Sequence, residues 1–172
     1  MGNSADNQEL LLSQITDKCV QRRDLSGCNL SGIDLRAVDL SGVNLTGADL
    51  SGANLCGCIL TGANLNKANL VRASLCDADL RETDLSEARL IEASLIEANL
   101  VGANLTAAKL CGANLLEANL TATNLTGADL TWANLTDTNL RAANLYQTNL
   151  LYAKLWNTIM PDGTIQQPQI GF

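Results

Sequence analysis

Leucine occupies every fifth position from Leu25 to Leu155 without a break, 27 leucines in all. Two residues before each one after Leu25 stands a small or β-branched side chain, most often alanine, as in Ala48, Ala53, Ala63, Ala98 and Ala133. Asn or Asp immediately precedes the leucine in most units, and two variable, mostly polar residues follow it. This period fits neither regular element. On an α-helix, five steps of about 100° leave successive leucines about 140° apart, so they form no stripe. On a flat strand an odd step sends alternate leucines to opposite faces. Both failures vanish if the chain turns a corner once per unit. The leucine and the small residue then point inward, while the Asn/Asp and the two following residues point outward. Short repeats of this kind bury their apolar side only by stacking on their neighbours, which predicts a solenoid.

The units ADLSG, ANLTG, ANLVG and ADLTW resemble the consensus of the pentapeptide-repeat family, and the match runs through about three quarters of the chain. The resemblance implies an all-β solenoid, a right-handed quadrilateral β-helix with five residues per side and twenty per coil. The leucine units then make about seven coils, a rod roughly 33 Å long at a strand spacing of about 4.8 Å. The segment TIMPDGT is similar to the closing stretch of many members from photosynthetic bacteria.

The ends break the rule. Residues 1–19 read as an N-terminal helical cap, with Ser4 or Asp6 as N-cap and Leu11, Leu12 and Ile15 as a short apolar face. Such a helix is marginal alone and would cover the open edge of the first coil. Residues 20–160 form the β-helix. Pro161 and the Asp162-Gly163 pair predict a turn out of it, leaving 161–172, with Pro168, Ile170 and Phe172, as a C-terminal cap or tail.

Leucine in every layer leaves no lumen, so any activity must lie on the outer surface. A net charge of −7 argues against a basic groove and hence against direct nucleic-acid binding. No apolar run is long enough for membrane insertion. The first twenty residues lack an export signal and miss the myristoylation pattern, since Asp6 stands where Ser or Thr is needed. The plain expectation is a cytoplasmic protein.

Candidate chemistry thins out on inspection. The outward Asn/Asp positions (Asn44, Asn54, Asn64, Asn104, Asn124) suit tight bends by bonding nearby backbone, and Ile59, Ser74, Arg89, Ser94, Lys109 and Lys154 show that the position tolerates change. Gly42, Gly47, Gly52 and Gly62 recur as bend residues, unlike a phosphate cradle. Cys28 and Cys58 fall at inward positions; Cys56 and Cys76 fall outward, one coil apart and near disulfide range, although a cytoplasmic location favours free thiols. With no histidine and no zinc spacing, no metal and no cofactor is expected. No nucleophile–base pair presents itself, so no catalytic residue and no enzyme are expected.

Two outward features remain when the sequence is folded at twenty residues. Asp77, Glu97, Glu117 and Asp137 share one column, a candidate acidic ladder. Like charges about 4.8 Å apart repel modestly in water, so stability does not call for them. They read either as a solvated stripe or as a docking strip for a basic partner. Beside them lie apolar residues on two adjacent sides: Val71, Ile91, Leu151, Trp132 and Tyr152 on one, Ile96, Leu116 and Trp156 on the next. A contiguous apolar patch marks an interface, with the aromatics as anchors.

The reading that follows is a non-catalytic scaffold whose partner is another protein or a second copy of itself. The resemblance agrees with it: most members have no assigned biochemical role, and some act in developmental regulation in filamentous cyanobacteria. The alternative is an acidic DNA mimic like the members that act on DNA gyrase. Against it, the central inward residue is uniformly Leu where those members often mix in Phe, and the tail is short for their C-terminal dimerisation helices. The carboxylates also advance about 4.8 Å per step, where phosphates along a strand advance about 3.4 Å.

Overall fold

The structure, a computed structural model, describes residues 23–167. The helical cap expected over 1–19 lies outside the described residues, as do Pro168, Ile170 and Phe172. Parallel bridges join residues twenty apart, from Asp24 with Asn44 to Asn139 with Ile159. Four such columns alternate along the chain and form the four faces of a coil. Face 1 carries Asn44 and Asn64, face 2 Asp49 and Asn69, face 3 Asn54 and Ser74, and face 4 Ile59 and Asp79.

Three backbone bonds per unit tie each coil to the next. The leucine N–H donates to the residue nineteen on, as Leu55 does to the Ser74 carbonyl at 2.7 Å. The residue before it donates backward, Asn54 to the Ile33 carbonyl at 2.8 Å. The second residue after it donates forward again, Gly57 to the Cys76 carbonyl at 2.8 Å. A fourth bond closes each corner within the unit, such as Ala53 N–H to the Leu50 carbonyl at 3.0 Å. The backbone groups that a narrow rod would otherwise leave bare are thereby paired.

The corner also explains the outward Asn/Asp. Its Oδ1 accepts the N–H two residues on, as in Asn64 to Asn66 at 3.0 Å and Asp84 to Ser86 at 3.0 Å. This is an Asx-type bend, repeated at unit after unit. Several of these side chains also reach along the rod. The Asn69 amide donates to Asp49 at 2.8 Å, and the Asn134 amide to Asn114 at 2.9 Å.

Inside, every fifth-position leucine from Leu25 to Leu140 is buried, together with Ala48, Ala63, Ala98 and Ala133. Each buried leucine contributes about 1.5–3 kcal/mol before chain entropy is subtracted. Inward threonines satisfy themselves on the coil below: Thr123 donates to the Leu100 carbonyl at 2.9 Å and Thr138 to Leu115 at 2.7 Å. Cys58 makes the same contact, to the Leu35 carbonyl at 2.7 Å.

The two ends of the described rod differ. Leu25, Leu30 and Leu35 are fully covered, whereas Leu145, Leu150 and Leu155 are only partly buried. After Met160 the chain reverses: Ile165 pairs antiparallel with Ile159, and Gln166 exchanges backbone bonds with Asn157 and Thr158. Among the described residues, that return makes its backbone bonds at face 4 and the corner leading into it. On the other faces, the N–H groups of Leu145, Gln147, Leu150, Tyr152 and Leu155 have no acceptor among the described residues.

Each corner turns on a left-handed residue two after the leucine, with φ near +60°, and only some of these are glycine. Gly47 has φ +64 and open space where a Cβ would go, so Gly47→Ala should lose about 1 kcal/mol from backbone strain alone. Glu117 holds the same conformation at φ +59, so Glu117→Gly should raise stability by a similar amount although it removes a side chain. Urea unfolding midpoints of the two variants should move in opposite directions.

Candidate functional site

The corner that follows face 2 and the corner that follows face 3 carry all the candidate residues. Val71, Ile91 and Leu151 stack at the first, with Trp132 and Tyr152 beside them. Ile96, Leu116 and Trp156 stack at the second, with Asp77, Glu97, Glu117 and Asp137 beside them. These assignments follow from the twenty-residue register of the bridges. The structure thus sets the two groups on neighbouring corners, separated by the width of face 3.

Exposure narrows the apolar patch. Val71, Ile91, Ile96 and Leu116 are half-buried, because the neighbouring coils crowd a residue that sits directly after the leucine. They offer edges and no open surface. Apart from Ile59, the exposed large apolar residues gather at the C-terminal end instead, among them Trp132 at 62%, Leu151 at 55%, Tyr152 at 60% and Trp156 at 62%. Two further members escape a column search. Tyr146, 66% exposed, is the one aromatic in a column of Ser, Thr and Asn, and Ile165 lies in the return segment beyond the repeats. No periodicity marks either of them. Tyr146 lies at the corner after face 1 and Ile165 pairs with Ile159 on face 4, so they share the end of the rod and not the two candidate corners.

Trp132 and Tyr152 stand one coil apart and their rings stack, with centroids 4.4 Å apart and planes 20° from parallel. Both sit at left-handed positions, φ +62 and +59, where glycine would be free of strain. Offset stacking returns about 0.5–1.5 kcal/mol, comparable with that strain. An open cleft of about 320 Å³ lies next to Trp156, between Thr136, Lys154 and Leu155 of the last coils and Gln166 and Gln167 of the return.

The four ladder carboxylates are all exposed. Asp137 accepts the Asn157 amide at 2.5 Å, so the column ends on a neutral hydrogen-bond donor. None of the four joins an ion pair among the described residues, whereas ion pairs elsewhere hold Asp34 with Arg36, Asp79 with Arg81, and Arg72 with Glu92. Among the described residues no cluster of three metal-ligating side chains occurs. No helix there is long and apolar enough to cross a membrane.

Titration follows the bends. The Arg81 guanidinium bonded to Asp79 holds its carboxyl below the ordinary 3.8, and Arg36 does the same for Asp34. The hydroxyl and N–H of Thr131 lower Asp129, and those of Ser51 lower Asp49. Carboxyls lowered by native contacts stabilise the fold above their unfolded value, and that contribution is lost as pH falls through the folded value. Through these carboxyls, stability should therefore be flat between about pH 5 and 8 and decline below about pH 4. Asp79→Asn and Asp129→Asn, which keep the bend's acceptor, should shrink that acid loss in a chemical-denaturation series across pH.

Comparison with known proteins adds the family context. The family model described as pentapeptide repeats matches the chain in 8 copies, spread over residues 24–62, 58–95, 88–127, 98–137 and 123–160. Among solved structures, the chain is similar to HetL from Nostoc sp. strain PCC 7120, a pentapeptide-repeat protein involved in heterocyst differentiation regulation. The identity is 29%, over 90% of this chain and 98% of that one, with a TM-score of 0.41. It is similar to Rfr23 from Cyanothece 51142 at 30% identity, over 87% and 99% of the two chains, with a TM-score of 0.41. Full-length QnrB1, a plasmid-mediated fluoroquinolone resistance protein, shares 18% identity over 84% and 89%, with a TM-score of 0.43. No curated protein matches the chain.

Proposed function

The chain belongs to the pentapeptide-repeat family, whose members fold as right-handed quadrilateral β-helices, and on that footing we propose that it is a non-catalytic scaffold for protein–protein contact. In this reading residues 20–160 form a rod of about seven coils with terminal caps, and its C-terminal third holds the contact surface. Trp132, Leu151, Tyr152 and Trp156 are the anchors, joined by Tyr146; Val71, Ile91, Ile96 and Leu116 extend an apolar edge toward the middle. The partner is another protein or a second copy of this chain.

One observation carries this reading. Two large aromatics, Trp132 and Tyr152, stack on one another and both remain exposed, beside exposed Leu151. A contiguous exposed apolar patch is a mark of use on the surface. The packed leucine interior supports the absence of catalysis, since the rod itself encloses no room for a substrate.

Trp132→Ser with Trp156→Ser should fold like the natural protein, because neither indole is buried. In a pull-down the double variant should lose partners that the natural chain retains, and sizing chromatography should show whether self-association is among the losses. An identical set of partners and an identical elution volume would count against the aromatic surface.

The ladder of Asp77, Glu97, Glu117 and Asp137 favours a second reading, an acidic mimic of DNA acting on a DNA-binding protein such as gyrase. Its support is the alignment of four exposed carboxylates along one corner, none of them in an ion pair among the described residues. A gyrase supercoiling assay decides it: inhibition or protection that disappears when the four are changed to Gln or Asn supports the mimic, and no effect at high protein concentration retires it.

A further inference from the structure

Five cysteines lie among the described residues, and their surroundings differ sharply. Cys58 is buried, donates to the Leu35 carbonyl at 2.7 Å, and is pushed up by burial to about 11, so it is chemically quiet. Cys28 and Cys111 stand in separate columns with no cysteine above or below them. Cys56 and Cys76 are the exception. They occupy the same corner on consecutive coils, directly after Leu55 and Leu75, and both are half-buried.

The backbones that carry them are locked together. Asn54 bridges Ser74, and Gly57 donates to the Cys76 carbonyl at 2.8 Å. A ladder spacing of about 4.8 Å places the Cα atoms inside the 4.4–6.8 Å range of disulfide-bonded pairs. The side chains also share a neighbour. The Ser74 hydroxyl lies 3.1 Å from Cys56 Sγ and 3.8 Å from Cys76 Sγ. The two sulfurs are therefore no further apart than the sum of those contacts. Cys76 meets Ser94 in the same manner at 3.3 Å, so the corner carries an alternating row of thiols and hydroxyls.

We propose that Cys56 and Cys76 form a reversible oxidation site, a disulfide that staples two consecutive coils when the protein meets a peroxide. One thiol gives up its proton and its sulfur attacks the peroxide; an S–O bond forms as the O–O bond breaks, and one water leaves. The second sulfur then displaces the hydroxyl of that sulfenic acid, forming the S–S bond and releasing a second water. Two thiols and one hydrogen peroxide thus give one disulfide and two waters. In-register stacking sets the Cβ atoms about 4.8 Å apart, wider than the usual separation of about 3.8 Å. Closing that gap strains the bond, which makes it easy to reduce and suits a reversible role.

The test uses the full chain with hydrogen peroxide near stoichiometric amounts, followed by alkylation in the native state and tryptic mapping. Arg72 separates the peptides of Cys56 and Cys76, and a Cys58→Ser background removes the one ambiguity within the Cys56 peptide. The expected result is the loss of two alkylatable thiols, a mass lower by two hydrogens, and a Cys56–Cys76 cross-link that dithiothreitol reverses. Cys111→Ser should leave the cross-link intact, and Cys56→Ser or Cys76→Ser should abolish it. Separate sulfinic acids on the two residues, both thiols surviving while Cys111 oxidises, or equal cross-linking to Cys28 and Cys111 would each overturn the proposal.

Discussion

Everything in this molecule depends on the backbone meeting itself twenty residues later. The bonds from Leu55 to Ser74, Asn54 to Ile33 and Gly57 to Cys76 belong to one ladder, and the same three recur through the described coils. Strand pairing usually leaves edges along the sides of a sheet. Winding the strand continuously moves the edges to the two ends of the rod. That arrangement fixes the register of every side chain, because any slip would turn leucines outward and leave Asn or Asp in the core. The leucine interior and the backbone ladder enforce the same answer, and this agreement makes so short a repeat specify a structure.

The corners show where the pattern is under tension. The residue two after the leucine must adopt a left-handed conformation, and glycine does so without cost at Gly47, Gly52 and Gly62. In the middle and C-terminal coils the same position holds Asp77, Glu97, Glu117, Trp132, Asp137 and Tyr152, all with φ between +56 and +62. The candidate acidic ladder and the stacked aromatics are thus built on the strained residue of the corner. Stability alone would favour glycine throughout. The Asx bonds and the ladder hold the corner shape regardless of what stands there, so the outer surface can be varied at a modest cost.

Much of this was legible in the sequence, for a definite physical reason. With a period of five and a leucine in every unit, Leu95 and Ala98 could only point inward, and Glu97 only outward. The structure gives those three the expected burial. The left-handed corners were half legible: the recurring glycines pointed to a bend, but the charged and aromatic residues that share it gave no sign of strain. Exposure was harder still. Ile96 and Leu116 read as open surface from their column, yet the coils above and below half-cover them. Tyr146 and Ile165 went unseen because their exposure comes from the end of the rod, which a repeat pattern does not describe. The shared contact of Cys56 and Cys76 with Ser74 likewise needed side-chain positions, since sequence spacing gives the column and not the rotamer.

The four-faced register has a consequence for how such a chain can change. Inserting or deleting one five-residue unit keeps the leucine interior in phase, yet rotates everything on its C-terminal side by a quarter turn. Placed between Asp77 and Trp132, one unit would carry the aromatic cluster round to a different side of the rod from the carboxylate at Asp77, with no side chain altered in either. Four units would restore the original alignment and only lengthen the span between them. The relative orientation of distant surface features on this molecule is therefore a counting problem, open to adjustment in ninety-degree steps without disturbing what lies inside.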